Sequence, residues 1–339
     1  MKLTIKDIAS KAGVSITTVS HILNDKGGRF SEETREKVLK VVEEYNYKPD
    51  YVARSMVTKR SKSIGMIVPD VTDFFFSKLI EGVETYLNTL GYMLILCNSK
   101  HDKEQEEKFF YELVHRAVEG IIIATPNILP KEIMKTCTKK DKEIPIVLVD
   151  MAKNERDEGK LIVEERKGVY EATSYLIESN HRKIGFMKEV GEYYQLSERL
   201  KGYLDCLEEN NISVNLNYIV ESYLTIEGGY KGTKKLLEQT ENDITALICS
   251  NDQMAMGAYQ AIYESGLKIP DDISIIGFDG LDTSRYLAPS LTTVQQPVFD
   301  IGFFAAKFVV DAIENPYIKM PTKVFPTKLI IRESVKAID

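Results

Sequence analysis

From residue 63 onward, short apolar runs alternate with stretches long enough to form helices, and this alternation limits the fold more than any other feature. Near-continuous apolar runs are typical of strands covered on both faces. Strands that alternate with helices build parallel sheets. The sequence therefore predicts a doubly wound α/β body with strands in seven runs: SIGMIVPD, YMLILCNS, GIIIATP, IPIVLVD, KIGFMKE, ITALICSN and ISIIGFD.

A body with seven or more strands is expected to form two lobes, with a ligand held at the carboxyl ends of the strands, where open α/β sheets have their crevice. Polar residues end several of the runs and three phenylalanines follow the first: Asp70, Phe74, Phe75, Phe76, Asp150, Asn251, Asp252 and Asp279. Aromatic faces with carboxylates and amides suit a polyhydroxylated ring. Acidic residues at strand ends are also common helix caps, so a structural role stays open for each.

The first 62 residues are basic, whereas the rest of the chain is acidic. Residues 1–62 hold 13 Lys and Arg against 8 Asp and Glu, and residues 63–339 hold 31 against 43. A basic head on an acidic body indicates that the head contacts phosphate. A chance local surplus of charge is the alternative.

Two short helices joined by a glycine turn are predicted within this basic segment. Thr4 and Asp7 have the spacing of a capping box, Gly13 can end the first helix, and Ser15 can cap the second. A third helix is expected to begin at Ser31. The apolar stripes of the three helices are Ile5, Ile8, Ala9 and Ala12, then Val19, Ile22 and Leu23, then Val38, Leu39, Val41, Val42 and Tyr45. The pattern predicts a helix-turn-helix within a three-helix head.

The exposed face of the second helix carries Ile16, Thr17, Ser20 and His21, where a recognition helix presents side chains to base edges. Spacing alone leaves open that these are ordinary surface residues. After the third helix, Pro49 breaks the pattern, and residues 50–56 are expected to form a short helix before a basic linker that ends at residue 62.

The segments TIKDIASKAGVSITTVSHILND and SEETREKVLKVVEEYNYKPDYVARSM resemble the DNA-binding head of the LacI/GalR repressor family. The resemblance implies that Ile16, Thr17 and His21 read bases in the major groove. It also implies a hinge helix that kinks the minor groove, with Ala53 and Met56 at the hinge positions. The phosphate contacts that it implies are Thr4, Ser15, Thr18, Ser20 and Asn24.

The body is similar to the effector domains of the same family and to periplasmic sugar-binding proteins, through GMIVPDVTDFFF, SERLKGY, CSNDQMAMGAYQAI, IPDDISIIGFDG and PSLTTVQQPVFDIG. The similarity implies a pocket most like that of ribose-responsive members. Its residues are Phe75, Phe76, Asp150, Arg199, Asn251, Asp279 and Gln296.

Two positions depart from the ribose pattern. Met151 stands where an arginine is frequent, and Glu165-Arg166 falls where an Asp-Asn-like pair is usual. A purine effector is the alternative, although Tyr193 and Gln195 replace the polar and basic residues of purine-binding members.

The resemblance implies three parts. Residues 1–48 form the helix-turn-helix domain and residues 49–62 the hinge helix and linker. Residues 63–339 form the effector-binding and dimerisation domain, with a first lobe at about 63–163 plus 293–322 and a second lobe at about 164–292 plus 323–339. The expected function is a transcriptional repressor that binds a palindromic operator in double-stranded DNA as a homodimer and responds to a small molecule. Whether that molecule is an inducer or a co-repressor stays open.

Other classes lack their signatures. No strand leads into Gly-x-Gly-x-x-Gly, no P-loop lysine motif is found, and four scattered histidines show no ligand spacing, so we expect no enzyme activity, cofactor or metal. A periplasmic binding protein would need a secretion signal, which the first residues lack, and no apolar run is long enough to span a membrane. With its widely spaced cysteines, the protein is expected to act in the cytoplasm.

Overall fold

The computed structural model describes residues 3–23, 30–48, 60–125, 144–149, 158–190 and 194–339. The chain divides into two compact units, Met1–Lys62 and Ser63–Asp339. The predicted base-reading segment lies in the first unit and the predicted effector pocket in the second.

Three helices build the described part of the first unit: α1 (Ile5–Ala12), α2 (Ile16–Leu23) and α3 (Glu32–Glu44). Asp7 closes the predicted capping box, because its Oδ2 accepts from both the backbone N and the Oγ1 of Thr4 at 2.7 Å. Gly13 ends α1 with φ 64°, a left-handed conformation that glycine adopts without strain.

The core of the first unit follows the predicted stripes with two exceptions. Its fully buried members are Ile8, Ala9, Ala12, Val19, Ile22 and Val38. The expectation that Leu39 and Tyr45 are buried is wrong, because their side chains are 42% and 39% exposed. Leu39 directly follows the buried Val38 on α3 and lies on a different face of the helix. Tyr45 comes directly after the last residue of α3, so the helical period of the stripe does not extend to it.

The described part of the second unit contains two six-stranded sheets. The first sheet has the order β11-β5-β4-β3-β1-β2 and the second has the order β12-β10-β9-β8-β6-β7. All neighbouring strands are parallel except β10 and β12. The strands are β1 (Ser63–Val68), β2 (Met93–Asn98), β3 (Gly120–Ile123), β4 (Ile146–Val149), β5 (Lys160–Val163), β6 (Ile184–Glu189), β7 (Ile219–Ser222), β8 (Ala246–Cys249), β9 (Ser274–Asp279), β10 (Thr292–Gln295), β11 (Lys323–Phe325) and β12 (Lys328–Ile330).

Helices cover the faces of both sheets, as the predicted doubly wound fold requires. They are α4 (Phe74–Thr89), α5 (Lys103–His115), α6 (Glu165–Glu178), α7 (Tyr194–Glu209), α8 (Ile226–Gln239), α9 (Asp252–Glu264) and α10 (Val298–Glu314). Close helix contacts rely on glycine: a Cβ at Gly257 of α9 would overlap the carbonyl oxygen of Ile226 in α8. Among the described residues, no helix combines the length and the apolar character that a membrane span needs.

The chain passes between the two sheets three times. β10 pairs with β9 in the second sheet, whereas β11 pairs with β5 in the first. The expected lobe limits at 293 and 323 are therefore corrected to 296–297 and 326–327. The strands TTVQ and KVF are too short and polar to reveal their sheet from sequence. β2 is a further correction to the expectation of doubly covered strands, since it is an edge strand and Met93 is 68% exposed.

Each sheet has one position where the chain order reverses. In the first sheet this position lies between β1 and β3, and in the second between β6 and β8. Ligands of open α/β sheets bind outside the carboxyl ends of strands at such a reversal. The expected ligand positions are therefore beside the residues that follow β1 and β3 in the first sheet and β6 and β8 in the second, with β9 as the next strand after β8.

Candidate functional sites

The outer face of α2 is the candidate DNA-reading surface. The side chains of Ile16, Thr17 and His21 are exposed, and that of Ile16 retains 42% of its accessible surface. An exposed isoleucine beside two hydrogen-bonding side chains matches the mix of apolar and polar contacts that base edges in the major groove accept.

The predicted phosphate-contacting residues have additional local roles. Ser15 Oγ accepts from the backbone N of Thr18 at 3.1 Å and lies 2.9 Å from Thr18 Oγ1. Thr4 is held by Asp7 in the capping box, and Ser20 is half-buried. These bonds hold the start of each helix. The predicted contacts Asn24, Ala53 and Met56 lie outside the described residues.

The first-lobe part of the crevice is the turn between β1 and α4. Asp70 Oδ1 accepts from both the backbone N and the Oγ1 of Thr72, which makes Asp70 a turn residue. Asp73 caps α4 by accepting from Phe75 N at 2.8 Å. The rings of Phe75 and Phe76 then meet edge to face, with centroids 5.1 Å apart, and both are half-buried.

Asp73 also connects the two lobes of the second unit. Its carboxylate accepts a hydrogen bond from Gln253 in the first turn of α9, and burial raises the pKa of Asp73. The negative charge of Asp73 also raises the pKa of Asp279 at the end of β9, so the two carboxyl groups are close in space. The carboxyl edges of the two sheets therefore face each other.

Arg199 of α7 lies at the centre of the second-lobe edge. Only 7% of its side chain is exposed, and its Nε and Nη2 both donate to Glu165, the latter at 3.1 Å. Nη1 donates to the carbonyl oxygen of Ser250, directly after β8. The guanidinium also lies 3.9 Å from the centroid of the Phe278 ring. The arginine is thus fixed on three sides.

Asp279 and Gln296 complete this group. Asp279 Oδ1 lies 3.8 Å from Arg199 Nη2 and accepts from Gln296 Nε2 at 2.7 Å. Asp279 has φ 102°, a strained value for any residue with a side chain, and its carbonyl oxygen accepts from Gln296 N at 3.1 Å. Among the described residues, the buried Oε1 of Gln296 has no hydrogen-bond partner. It is an acceptor suited to a ligand hydroxyl.

The protonation of Asp279 is set by burial. Loss of solvent raises its pKa well above the ordinary value, and the charges of Asp252 and Asp73 raise it further. Arg199 and the Gln296 hydrogen bond act in the opposite direction. A carboxyl group in this setting can exchange hydrogen bonds with ligand hydroxyls as either acceptor or donor.

Asn251 and Asp252 have structural roles at the start of α9. Asn251 Oδ1 accepts from Met254 N at 2.8 Å, and Asn251 Nδ2 donates to Leu224 O at 3.3 Å. Asp252 is fully buried and accepts from Leu281 N and Thr293 Oγ1. Asn251 is thus a helix cap, whereas Asp252 joins the start of α9 to Leu281 and to β10. The effector contact of Asn251 stays a prediction.

The structure thus gathers Arg199, Asp279 and Gln296 in one cluster, with Asn251 next to the carbonyl group that receives Arg199. Phe75 and Phe76 follow Asp73 on the facing edge. Asp150 lies outside the described residues.

Two residues near Arg199 were not predicted as site residues. Glu165 is 3% exposed and binds Arg199 across 34 positions of sequence, a pairing that only the packing of α6 against α7 creates. Glu189 ends β6, and burial raises its pKa to about 7 while Arg199 opposes the rise. Glu189 closes an apolar run as Asp70 and Asp279 do, so the strand-end criterion applied to those residues would have found it.

Comparison with known proteins covers both units. The profile for bacterial regulatory proteins of the lacI family matches residues 4–50, and a periplasmic binding protein-like domain matches residues 173–335. The chain is 36% identical to a ribose operon repressor of Haemophilus influenzae over 99% of each chain. It is also 36% identical to the transcriptional repressor PurR of Vibrio vulnificus, again over 99% of each chain.

Solved structures of LacI-family regulators also resemble the fold. The lac repressor dimer bound to operator and an anti-inducer superimposes with a TM-score of 0.88 at 26% identity, covering 99% of this chain and 100% of the other. A LacI family regulator from Enterococcus faecium with bound ribose gives a TM-score of 0.75 at 30% identity, covering 82% of this chain and 100% of the other. The helix-turn-helix head, the two-lobed body and full-length similarity together show that this chain belongs to the LacI family of DNA-binding transcriptional repressors.

Proposed function

We propose that the protein represses a sugar-utilisation operon and that its effector is a neutral pentose of the D-ribose type. The observation that carries this proposal is the cluster of Arg199, Asp279 and Gln296, at the edge opposite Asp73 and the two phenylalanines that follow it. The cluster includes the buried Gln296 Oε1, which has no hydrogen-bond partner among the described residues. A sugar ring presents C–H groups to aromatic faces and hydroxyls to such a cluster. The ribose-bound relative and the ribose operon repressor support the same ligand class.

We propose the division of labour given by the sequence: residues 1–48 bind the operator, residues 49–62 form the hinge, and the body binds the effector and dimerises. A dimer places two recognition helices on the half-sites of a palindrome, as protein symmetry requires. The dimeric lac repressor on operator supports this assembly. A regulator of this kind acts where the chromosome lies, which in a bacterium is the cytoplasm.

Effector binding is proposed to act through the interlobe crevice. A ligand that contacts both edges favours one angle between the lobes, and that angle sets the separation of the two hinge segments in the dimer. We propose that the sugar is an inducer, so that its binding weakens operator affinity. Reciprocal coupling then requires that operator weaken sugar binding by the same factor.

Isothermal titration calorimetry with D-ribose, D-xylose, hypoxanthine and guanine tests the ligand class. We expect saturable binding of D-ribose and no heat of binding from the purines. Gln296→Leu removes the unpaired acceptor and is expected to weaken D-ribose binding about tenfold, the cost of one ligand hydrogen bond to a buried partner. Tyr286→Leu, a change at an 81% exposed surface residue, is the matched control and should leave the affinity unchanged.

A purine effector is the second candidate, because the PurR relative is as similar over its length as the ribose operon repressor. Saturable heat from hypoxanthine or guanine without heat from D-ribose would establish it in place of the sugar.

A further inference from the structure

The carboxylate of Glu165 is the main partner of Arg199. Glu165 is the first residue of α6, directly after the crossover from β5, and its side chain is 3% exposed. Its two oxygens bind the Nε and Nη2 edge of Arg199. A bidentate bond of this kind fixes the plane of a guanidinium. Glu165 therefore decides which edge of Arg199 is directed to Ser250 and Asp279.

Three carboxyl groups of the described residues lie near Arg199. Besides Glu165, the carboxylate of Asp279 lies 3.8 Å from Nη2, and Glu189 is close enough for Arg199 to lower its pKa. Asp252 and Asp73 act in turn on Asp279. Among the described residues, Glu165 is the carboxylate that pairs directly with Arg199, whereas burial raises the pKa of Asp279 and raises that of Glu189 to about 7. Because Glu165 compensates its charge, Arg199 is a directed hydrogen-bond donor rather than a site of excess positive charge.

Such an environment distinguishes ligands by charge. A neutral polyol exchanges hydrogen bonds with Arg199 and Asp279, whereas a phosphorylated or carboxylated analogue brings a further negative charge to a guanidinium that Glu165 already compensates. We propose that Glu165 positions Arg199 for a neutral sugar and that its charge makes the pocket reject anionic analogues. This inference rests on the proposed function, because it concerns the selectivity of the same pocket.

Three variants of the full-length chain separate position from charge. Glu165→Gln keeps the length of the side chain and removes its charge. Glu165→Asp keeps the charge and withdraws the carboxylate from Arg199. Glu164→Gln is the matched control, because Glu164 is the preceding residue and pairs with Lys167 on the surface rather than with Arg199.

Calorimetric titration with D-ribose and D-ribose 5-phosphate is the measurement, with unliganded thermal unfolding recorded for each variant. We expect the wild-type chain to prefer D-ribose strongly. Glu165→Gln should lower the affinity for D-ribose relative to that for D-ribose 5-phosphate by about tenfold, which is the effect of one unit charge at ligand distance in a partly screened site. Glu165→Asp should weaken D-ribose binding while it keeps the rejection of the phosphate, and Glu164→Gln should match the wild type.

A wild-type affinity ratio in Glu165→Gln, or no detectable binding of the phosphate by that variant, overturns the inference. If Glu165→Gln fails to fold, then Glu165→Asp decides, and unchanged D-ribose affinity in that variant contradicts the positioning role. Absence of D-ribose binding by the wild-type chain is a different outcome, because it contradicts the proposed function itself.

Discussion

Removal of Arg199 should destabilise the unliganded body, in addition to weakening ligand binding. The side chains of Arg199 and Glu165 are 7% and 3% exposed, so Arg199→Met leaves a buried carboxylate without its main partner. Breaking a buried pair from one side costs about 3–5 kcal/mol. Loss of the hydrogen bond from Arg199 to Ser250 should lower the free energy of unfolding by only about 1 kcal/mol more. Replacing both partners of a buried ion pair by apolar residues often leaves the free energy of unfolding nearly unchanged.

A double-mutant cycle measures the coupling free energy between Arg199 and Glu165. Glu165→Leu should lower the free energy of unfolding by about 2–3 kcal/mol, because Arg199 keeps Ser250 and Asp279 as partners. The double variant should cost only about 1–2 kcal/mol, so the coupling free energy between the two sites is expected to be at least about 3 kcal/mol.

Urea unfolding followed by circular dichroism at fixed protein concentration gives these free energies, with the transition of the body fitted separately from that of the head. The same two helices supply a control, because Arg166 of α6 pairs with Asp205 of α7 while their side chains are 54% and 31% exposed. The cycle of Arg166→Met and Asp205→Leu should give a coupling below about 1 kcal/mol. Equal coupling free energies in the two cycles would contradict the expected effect of burial on the Glu165–Arg199 pair.

Three further results are expected. Gly257→Ala forces a Cβ against the backbone of α8 and should lower the free energy of unfolding, measured by thermal unfolding, by about 3 kcal/mol or more. Gly91 has φ 67° and open space around it, so Gly91→Asn should lower the free energy of unfolding by less than about 1 kcal/mol. Burial raises the pKa of Glu189 to about 7, so the folded state binds more protons than the unfolded state and the free energy of unfolding should fall as pH rises from about 4.5 to 7. Glu189→Gln should flatten this fall. An unchanged dependence of the free energy of unfolding on pH would contradict the raised pKa of Glu189. Ile16→Ala should weaken specific operator binding about tenfold with an unchanged salt dependence, while Leu39→Ala, equally exposed on α3, should not.

Local chemistry explains why the head was predictable. A capping box, a glycine turn and apolar spacing act over a few residues, and Thr4, Asp7 and Gly13 take the roles that these signals predict. Leu39 deviates because its exposure depends on how α3 meets the other helices, which the helical period alone does not determine.

The strands divide by composition. The seven apolar runs all become strands, β2 at the edge of the first sheet and the other six inside their sheets. β5, β7, β10, β11 and β12 have three or four residues each and mix polar with apolar side chains, so they are strands only by virtue of their neighbours. The last two crossings between the lobes depend on β10, β11 and β12. The predicted lobe limits at 293 and 323 therefore lie a few residues before the crossings in the structure.

The site shows the same limit. Family resemblance led to Arg199, Asp279 and Gln296, which the fold brings together. In the sequence, Glu165 stands out only as a departure from the usual pattern, because its partner Arg199 lies on another helix 34 positions away. A buried ion pair between distant segments leaves no mark in local periodicity.

The most direct test of the account measures operator affinity with and without the sugar. Fluorescence anisotropy on a palindromic duplex, selected with the full-length protein from a random pool, is recorded over a series of salt concentrations. We predict specific binding that weakens steeply with salt, as counterions are released, and a further loss of at least about tenfold on addition of saturating D-ribose. Specific binding that D-ribose leaves unchanged would contradict the proposed effector, and failure to select any specific duplex would contradict the assignment of the head as a DNA reader.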